Sequence, residues 1–313
     1  MTSLVFMGTP EFSVPILTML HDEGYDILAV ATQPDRPVGR KKVMTPTPVK
    51  KEAIRLGLPV LQPEKLKGSE QLNEILSLNP DIIITAAFGQ ILPKELLDAP
   101  EFGCLNVHAS LLPAYRGGAP IHQAVIDGQV ETGVTIMYMA EKLDAGDIIS
   151  QKAIPIEVED NTGVLFDKLS IVGRDLLKET LPTVINKTND RIVQDESMVT
   201  FARNISREQE RIDWNQPGMD IYNQVRGLNP WPVAYTTLSE QAVKVWWGQP
   251  GTQRFSQPVG TVVDLMADRI VVQAGNEQVF EITELQPAGK KKMSAEEFLR
   301  GTGSKLQIGD QFL

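Results

Sequence analysis

Asn106 and His108 are two polar side chains near the end of an otherwise apolar segment, residues 104–108. Residues two apart in a β-strand face the same side of the sheet, so a strand here would present both groups together. Asp144 follows a second apolar segment, and its carboxylate could fix the tautomer and charge of the imidazole. An amide and a charged imidazole can donate hydrogen bonds to a developing oxyanion, and the imidazole can also accept or donate a proton. Acyl transfer to an amine requires oxyanion stabilisation and proton transfer but no covalent intermediate.

Each candidate residue also has a structural interpretation. A histidine at a strand end positions a loop about as often as it acts chemically, and Asp144 before Gly146 could simply cap a turn. His21 and His122 lie on predicted helices and are assigned structural roles. One His together with Asn and Asp is a poor set of zinc ligands. No Ser or Cys lies in a nucleophile-elbow motif beside them, which disfavours a covalent acyl-enzyme mechanism. A dehydrogenase is disfavoured because the first strand is not followed by Gly-x-Gly-x-x-Gly.

The sequence pattern around these residues predicts a doubly wound α/β domain with a mostly parallel sheet. Apolar strands alternate with helices, which is typical of a sheet covered on both faces, and ligands then bind at the carboxyl ends of the strands. After the first strand, Ser13 and Pro15 predict the cap and first turn of a helix. A long amphipathic helix over residues 162–186 is predicted to close this domain. The predicted strands are residues 4–7, 27–32, 60–62, 81–86, 104–108 and 134–139, and the other helices are 49–56, 69–78, 94–98 and 120–127.

The rest of the chain is predicted to form a smaller second domain. Residues 188–206 are polar and weakly patterned and are interpreted as a linker, so the first domain would span 1–187 and the second 207–313. Short strands at close spacing favour a small barrel or sandwich. These strands are predicted near residues 243–247, 260–265, 270–274 and 279–285.

The composition is that of an ordinary globular protein, with 42% hydrophobic and 22% charged residues among 313. No apolar run approaches the length of a membrane span, so we expect a cytoplasmic protein with no membrane partner. The single cysteine, Cys104, cannot form an internal disulfide and is expected to be a small core residue.

The net charge of -10 argues against binding nucleic acid through bulk charge, so any nucleic-acid contact would have to use local basic patches. Two such patches are Arg36, Arg40, Lys41, Lys42, Lys50 and Lys51 in a long Pro-rich loop and the segment after it, and Lys290, Lys291 and Lys292 near the end.

The motifs around the candidate residues resemble the formyltransferase family that uses 10-formyltetrahydrofolate. The catalytic part of the resemblance rests on three motifs: Asn106-x-His108-x-Ser110-Leu111-Leu112-Pro113, Tyr115-Arg116-Gly117-Gly118-Ala119-Pro120 and Leu143-Asp144-x-Gly146-Asp147. Further motifs narrow it to the members that formylate methionyl initiator tRNA: Phe6-x-Gly8-Thr9-Pro10, Gln33-Pro34-Asp35-Arg36, Arg211-Ile212-Asp213-Trp214, Asn229-Pro230-Trp231-Pro232 and Leu285-Gln286-Pro287-Ala288-Gly289-Lys290-Lys291.

The resemblance implies a Rossmann-like catalytic domain followed by an OB-like β-barrel that binds tRNA. It implies that Asn106, His108 and Asp144 are catalytic, that 10-formyltetrahydrofolate is the formyl donor, and that neither a metal nor an obligate protein partner is needed. The folate would lie beside Gly8, Ser110, Leu111, Leu112 and Pro113. The tRNA would contact Arg36, Arg40, Lys41, Lys42, Lys290 and Lys291.

Two alternatives to this function stay open. A related enzyme could formylate a small amine, although such an acceptor needs no second domain with a basic segment. A non-catalytic protein could merely hold folate or RNA, although the presence of all three catalytic residue types argues against it. The two basic patches also have a plain interpretation as solvated surface.

Overall fold

The structure, a computed structural model, describes residues 1–39 and 41–313, which divide into two compact units. The first unit comprises Met1–Pro120, Glu131–Pro155 and Phe166–Arg203. The second comprises Ile121–Val130, Ile156–Leu165 and Asn204–Leu313. Two short segments that precede residue 166 thus belong to the second unit.

The first unit is built on a seven-stranded sheet of order β5-β2-β1-β6-β7-β8-β9. The first five strands in this order are parallel, whereas β8 and β9 are antiparallel to their neighbours. Strands such as β1 and β6 are buried almost throughout because the sheet is covered on both faces. The predicted doubly wound, mostly parallel fold is confirmed. The strands are β1 (Ser3–Gly8), β2 (Asp26–Ala31), β5 (Val60–Leu61), β6 (Ile82–Ala86), β7 (Cys104–His108), β8 (Glu131–Tyr138) and β9 (Ile148–Pro155).

Helices follow most of these strands, and side-chain caps begin two of them. Thr47 accepts a hydrogen bond from the Lys50 backbone, and Ser69 accepts one from the Leu72 backbone. Ser13 occupies the N-cap position of the first helix and Pro15 its first turn, as predicted, but the Ser13 hydroxyl makes no cap hydrogen bond. It donates instead to the Ala86 carbonyl at 2.6 Å and so ties the helix start to the end of β6. The helices of the first unit are α1 (Val14–Asp22), α2 (Pro48–Arg55), α3 (Glu70–Ser77) and α4 (Lys94–Leu97). Helix α5 (Pro120–Ile126) falls almost wholly in the second unit, and α6 (Thr162–Ile185) begins in the second unit and continues in the first.

Three strands of the first unit were not predicted from the sequence. Strands β3 (Arg36–Val38) and β4 (Val43–Thr45) pair as an antiparallel hairpin within the Pro-rich loop. Each strand has only three residues and these are largely exposed, so the sequence shows no alternation of apolar and polar positions there. The strand β9 lies at the sheet edge, and most of its second half is exposed, which hides it in the same way.

The second unit is an antiparallel sheet of order β10-β11-β14-β13-β12, with β15 added on β14. The last residues close its ends: Thr237 and Leu313 exchange two backbone hydrogen bonds, and Val262 N–H donates to Asp310. Trp214, Phe280 and Phe312 pack inside this barrel-like sheet. The elements are α7 (Gly218–Gly227), β10 (Tyr235–Leu238), β11 (Gln241–Gly251), β12 (Val262–Leu265), β13 (Ile270–Gln273), β14 (Val279–Pro287), β15 (Met293–Ser294) and α8 (Ala295–Arg300).

No helix within residues 1–39 and 41–313 combines the length and apolar character that crossing a membrane requires.

Candidate active site

The amide of Asn106 is oriented by a buried hydroxyl on the neighbouring strand. Residues Thr85 of β6 and Asn106 of β7 are register partners, and the Thr85 hydroxyl lies 2.9 Å from Asn106 Oδ1. Thr85 is only 2% exposed, whereas Asn106 is half-buried. With its oxygen facing Thr85, the amide directs its NH2 group away, and that group has no hydrogen-bond partner among the described residues. Asn106 therefore offers a donor at the carboxyl end of the sheet.

The imidazole of His108 lies between two oxygen acceptors. Its Nε2 is 3.0 Å from the Tyr115 carbonyl, which can only accept, so Nε2 carries a proton. Its Nδ1 is 3.9 Å from Asp144 Oδ2, which is too long for a hydrogen bond but close for an ion pair. Both ring nitrogens thus face oxygen atoms of the protein. The ring can donate to an oxyanion only by exchanging one of these partners.

The carboxylate of Asp144 has a tertiary role that excludes the simple turn-cap interpretation. Its Oδ2 accepts a 2.8 Å hydrogen bond from the backbone N–H of Gly117, which is 27 residues away. Gly117 has φ +124°, and a Cβ there would stand 2.4 Å from the Ala202 carbonyl oxygen, so only glycine fits. The carboxylate is thereby held between the Gly117 amide and the His108 ring.

The loop after β7 is fixed by hydrogen bonds that use its own polar groups. The hydroxyl of Ser110 donates to Ala114 O at 2.7 Å. The hydroxyl of Thr135 donates to Ser110 O and accepts from Leu112 N–H, and Gln151 donates to Leu112 O. The Leu112–Pro113 peptide bond is cis. The backbone groups of Leu112, expected to face a folate ring, are thus already paired within the protein, while Leu111 and Pro113 are half-buried.

Gly8 ends β1 opposite Ala86 of β6. A Cβ at this position would meet Ser13 Cβ at 2.7 Å and Ala86 O at 3.0 Å. Close packing of α1 against the strand end is therefore enough to explain the glycine.

The basic residues expected to contact tRNA differ in how they are engaged. Arg36 makes a bidentate pair with Glu64, with distances of 3.2 and 2.6 Å. Lys41 and Lys42 are exposed in the turn of the β3–β4 hairpin, and Arg40 lies outside the described residues. In the second unit, Lys290 and Lys291 are exposed just after β14. Their neighbour Lys292 instead pairs with Glu284 at 2.7 Å and lies over the Trp246 ring.

The base of the β3–β4 hairpin is clamped by an ion pair. Lys50 Nζ lies 2.9 and 2.8 Å from the two carboxylate oxygens of Asp35, and Gln62 donates to the same carboxylate. The hydrogen bonds from Gln62 and Lys50 hold the pKa of Asp35 below its ordinary value. The hairpin therefore leaves the first unit from a fixed base.

The remaining titratable candidates fit structural roles. Burial raises the pKa of Cys104 to about 12, so this thiol is a core group. Burial lowers the pKa of His122, whose Nε2 has no hydrogen-bond partner in the described structure. His21 is exposed on α1 and its Nδ1 lies 3.2 Å from Asp22. Across residues 1–39 and 41–313, no group of three or more His, Cys, Asp or Glu side chains is arranged to hold a metal ion.

An amide donor, an imidazole and a carboxylate at the strand ends of a Rossmann-like sheet suit acyl transfer, and comparison with known families identifies the group transferred. The family model described as formyl transferase matches residues 1–181, and that of the formyl transferase C-terminal domain matches residues 204–303. The chain belongs to the formyl transferase family.

Its relatives include proteins of the same length. A methionyl-tRNA formyltransferase of Lysinibacillus sphaericus is 70% identical over 312 residues, which cover 100% of both chains. A methionyl-tRNA formyltransferase of Bacillus cytotoxicus is 59% identical over 310 residues, covering 99% of this chain and 98% of the relative.

Solved structures share the fold at lower identity. An N-formyltransferase from Helicobacter canadensis, solved with folinic acid and dTDP-3-aminofucose, superposes with a TM-score of 0.68 at 18% identity, covering 92% of this chain and 100% of that one. HypX from Aquifex aeolicus in complex with tetrahydrofolic acid gives a TM-score of 0.65 at 16% identity, covering 99% of this chain and 48% of that one.

Several residues around the site were not singled out as candidates from the sequence. They are Thr85, which contacts Asn106, and Gly117 and Gln194, which contact Asp144. The paired glycines at 117 and 118 were a usable signal for a close backbone approach. No local pattern marks Thr85 or Gln194.

Proposed function

We propose that the protein transfers the formyl group of 10-formyltetrahydrofolate to the α-amine of methionyl initiator tRNA, giving formylmethionyl-tRNA for translation initiation in the cytoplasm. The observation that carries the choice of acceptor is the 70% identity, over the full length of both chains, to a relative named methionyl-tRNA formyltransferase. That match extends through the second unit.

The chemistry rests on three side chains of the first unit. The folate supplies an activated formyl group, whose carbon is attacked by the neutral amine. Asn106 donates its free amide N–H to the oxygen that becomes negatively charged. When protonated, His108 stabilises the same oxygen through its positive charge, and the Asp144 carboxylate lies beside its ring. When the tetrahedral centre collapses, the bond from the formyl carbon to the folate nitrogen breaks, that nitrogen takes a proton, and the attacking amine releases one.

The enzyme does not need a strong base to activate the nucleophile. A free α-amine has a pKa of roughly 7.7 to 8.0, so a useful fraction is neutral near physiological pH. The catalytic task left to Asn106, His108 and Asp144 is therefore to stabilise charge that develops after attack.

The donor site is proposed along the loop Ser110, Leu111, Leu112 and Pro113, with Gly8 at the adjacent strand end. What supports this position is that the loop follows His108 directly and is held rigid by Thr135 and Gln151. Because the polar groups of Leu112 are used internally, we expect this residue to shape the pocket rather than to read the folate ring.

The tRNA contacts are proposed on both units. Arg40, Lys41 and Lys42, which lie between β3 and β4 in the sequence, would approach the acceptor end, and Arg36 would have to exchange Glu64 for a phosphate. Lys290 and Lys291 would bind phosphates through the second unit, because an acidic protein needs local positive charge for that purpose. We propose that residues 1–187 carry catalysis and residues 207–313 bind tRNA. Residues 188–206 connect the two in sequence, and those up to Arg203 pack as part of the first unit.

The choice among acceptors is tested by a formylation assay with one donor and several amines. With 10-formyltetrahydrofolate, we expect transfer to charged initiator tRNA and far slower transfer to charged elongator tRNA, an amino-sugar nucleotide or glycinamide ribonucleotide. Faster transfer to a small amine would instead indicate a related formyltransferase whose natural acceptor is a small molecule. Folate binding without transfer to any acceptor would support a non-catalytic protein.

A further inference from the structure

Gln194 is a buried side chain in the segment that the sequence suggested was a linker. It is 6% exposed, and every polar atom of its amide is paired. Its Oε1 accepts from Nε and Nη2 of Arg116 at 3.0 and 2.8 Å. Its Nε2 donates to the carbonyls of Asp144 and Gly146 at 2.9 and 2.8 Å. One amide thus joins two loops that are distant in sequence.

The Arg116 side of this connection is firmly anchored. The arginine side chain is fully buried, and its guanidinium also bonds Glu196. Its backbone N–H donates to Thr200 O, and its carbonyl accepts from Ala202 N–H. The next residue, Gly117, supplies the amide that holds the Asp144 carboxylate. Gln194 therefore ties Asp144 to the same loop that provides its hydrogen-bond donor.

The loop that carries Asp144 has an unfavourable backbone conformation, which other contacts must stabilise. Asp144 has φ 46°, in the left-handed region that is unfavourable for residues other than glycine. At Gly146 a Cβ would stand only 1.9 Å from the Tyr138 carbonyl oxygen, so this loop passes very close to the end of β8. The two hydrogen bonds from Gln194 fall on the carbonyls of these two residues.

We propose that Gln194 is a positioning residue for the reaction, which holds the Asp144 loop so that its carboxylate lies against Gly117 and beside His108. The effect on turnover rests on the proposed function, whereas the effect on the Gly117 hydrogen bond does not. Gln194 touches no reacting atom and acts through Asp144.

Gln194→Glu separates the two halves of the connection. The new carboxylate still accepts hydrogen bonds from Arg116. It has no N–H to donate to the carbonyls of Asp144 and Gly146, and one of its negative oxygens would lie against them. We expect the turnover number to fall at least about tenfold, since small displacements of catalytic groups have large effects on rate, with little change in KM for either substrate. The Gly117 amide proton, which donates to a carboxylate in the wild type, should shift upfield in the NMR spectrum.

The second unit provides a matched control. Gln273 is 1% exposed, and its Nε2 donates to the carbonyls of Ala274 and Gln278 at 2.9 and 3.0 Å, so Gln273→Glu loses the same kind of contacts far from the site in sequence. We expect this variant to lose stability but to keep the turnover number and the Gly117 resonance. Gln194→Asn retains the amide but is too short to span both loops, so it should behave like Gln194→Glu. It replaces Gln194→Glu in the experiment if that variant does not fold.

The outcomes distinguish this inference from the proposed function. Absence of formyl transfer by the wild type would refute the proposed function, while the Gly117 resonance would still report on the role of Gln194. An active wild type with a folded Gln194 variant of equal turnover, or with an unmoved Gly117 resonance, would overturn the inference.

Discussion

Replacing Asn106 by alanine should reduce activity far more than stability. Among the described residues its NH2 group has no protein partner, so its removal eliminates a hydrogen bond that forms only when the oxyanion develops. Loss of one such donor typically costs about 10²–10³ in rate, or about 2.7–4 kcal/mol. Removing the amide oxygen does not leave the buried Thr85 hydroxyl unpaired, because Leu105 O lies 3.0 Å away. The stability cost should then be about 1 kcal/mol, the contribution of one ordinary hydrogen bond.

The assay for Asn106→Ala is single-turnover formylation at saturating donor and acceptor, with thermal unfolding followed by circular dichroism. Thr85→Val provides the comparison, because it keeps the amide but removes the hydroxyl that orients it. A hydrogen bond of about 1 kcal/mol biases that orientation roughly fivefold, so this variant should lose between about twofold and tenfold in rate. A folded Asn106→Ala variant within tenfold of wild-type turnover would refute the donor role.

Three further predictions address residues outside the catalytic trio. With its pKa raised to about 12, the Cys104 thiol should resist alkylation at pH 8 in the folded protein and react quickly in denaturant; rapid reaction without denaturant would contradict the assigned burial. Burial lowers the pKa of His122 from 6.5, so the unfolded chain binds more protons below that pH. Stability should therefore be full above about pH 6.5 and decrease as the pH falls, and His122→Phe should flatten the dependence of Tm on pH between about 5 and 7; an unchanged curve would exclude His122 as its source. Replacing Lys290 and Lys291 by glutamine should reduce the slope of log affinity for tRNA against log salt by up to about 0.9 for each lost phosphate contact, and an unchanged slope would make both residues plain surface.

The strand that carries Asn106 and His108 was predictable because its other residues are buried and apolar. The two polar groups interrupt that pattern at a strand end, where sheets of this kind bind ligands. The position of Asp144 after the next apolar segment was equally visible. What the sequence could not provide is the geometry between them, in which His108 Nδ1 and Asp144 Oδ2 lie 3.9 Å apart while the ring's other nitrogen is committed to Tyr115.

The residues that support the site were missed because their contacts depend on tertiary structure. Thr85 meets Asn106 only because β6 and β7 are neighbours in a particular register, and nothing local distinguishes Thr85 from any other strand threonine. Gln194 lies 50 residues from Asp144 within a polar stretch, and its burial follows from the packing of that stretch on the first unit. Ser13 shows the opposite failure: a correct helix start suggested a local cap, but the end of β6 offered its hydroxyl a buried acceptor.

Formyl transfer to methionyl tRNA is tested most directly by the mass of the amino acid recovered from charged initiator tRNA after incubation with the protein and 10-formyltetrahydrofolate. We predict methionine heavier by one formyl group, formed by the wild type and reduced at least about a hundredfold in rate for Asn106→Ala. Unmodified methionine in the presence of active, folded wild type, donor and charged tRNA would contradict the proposed reaction.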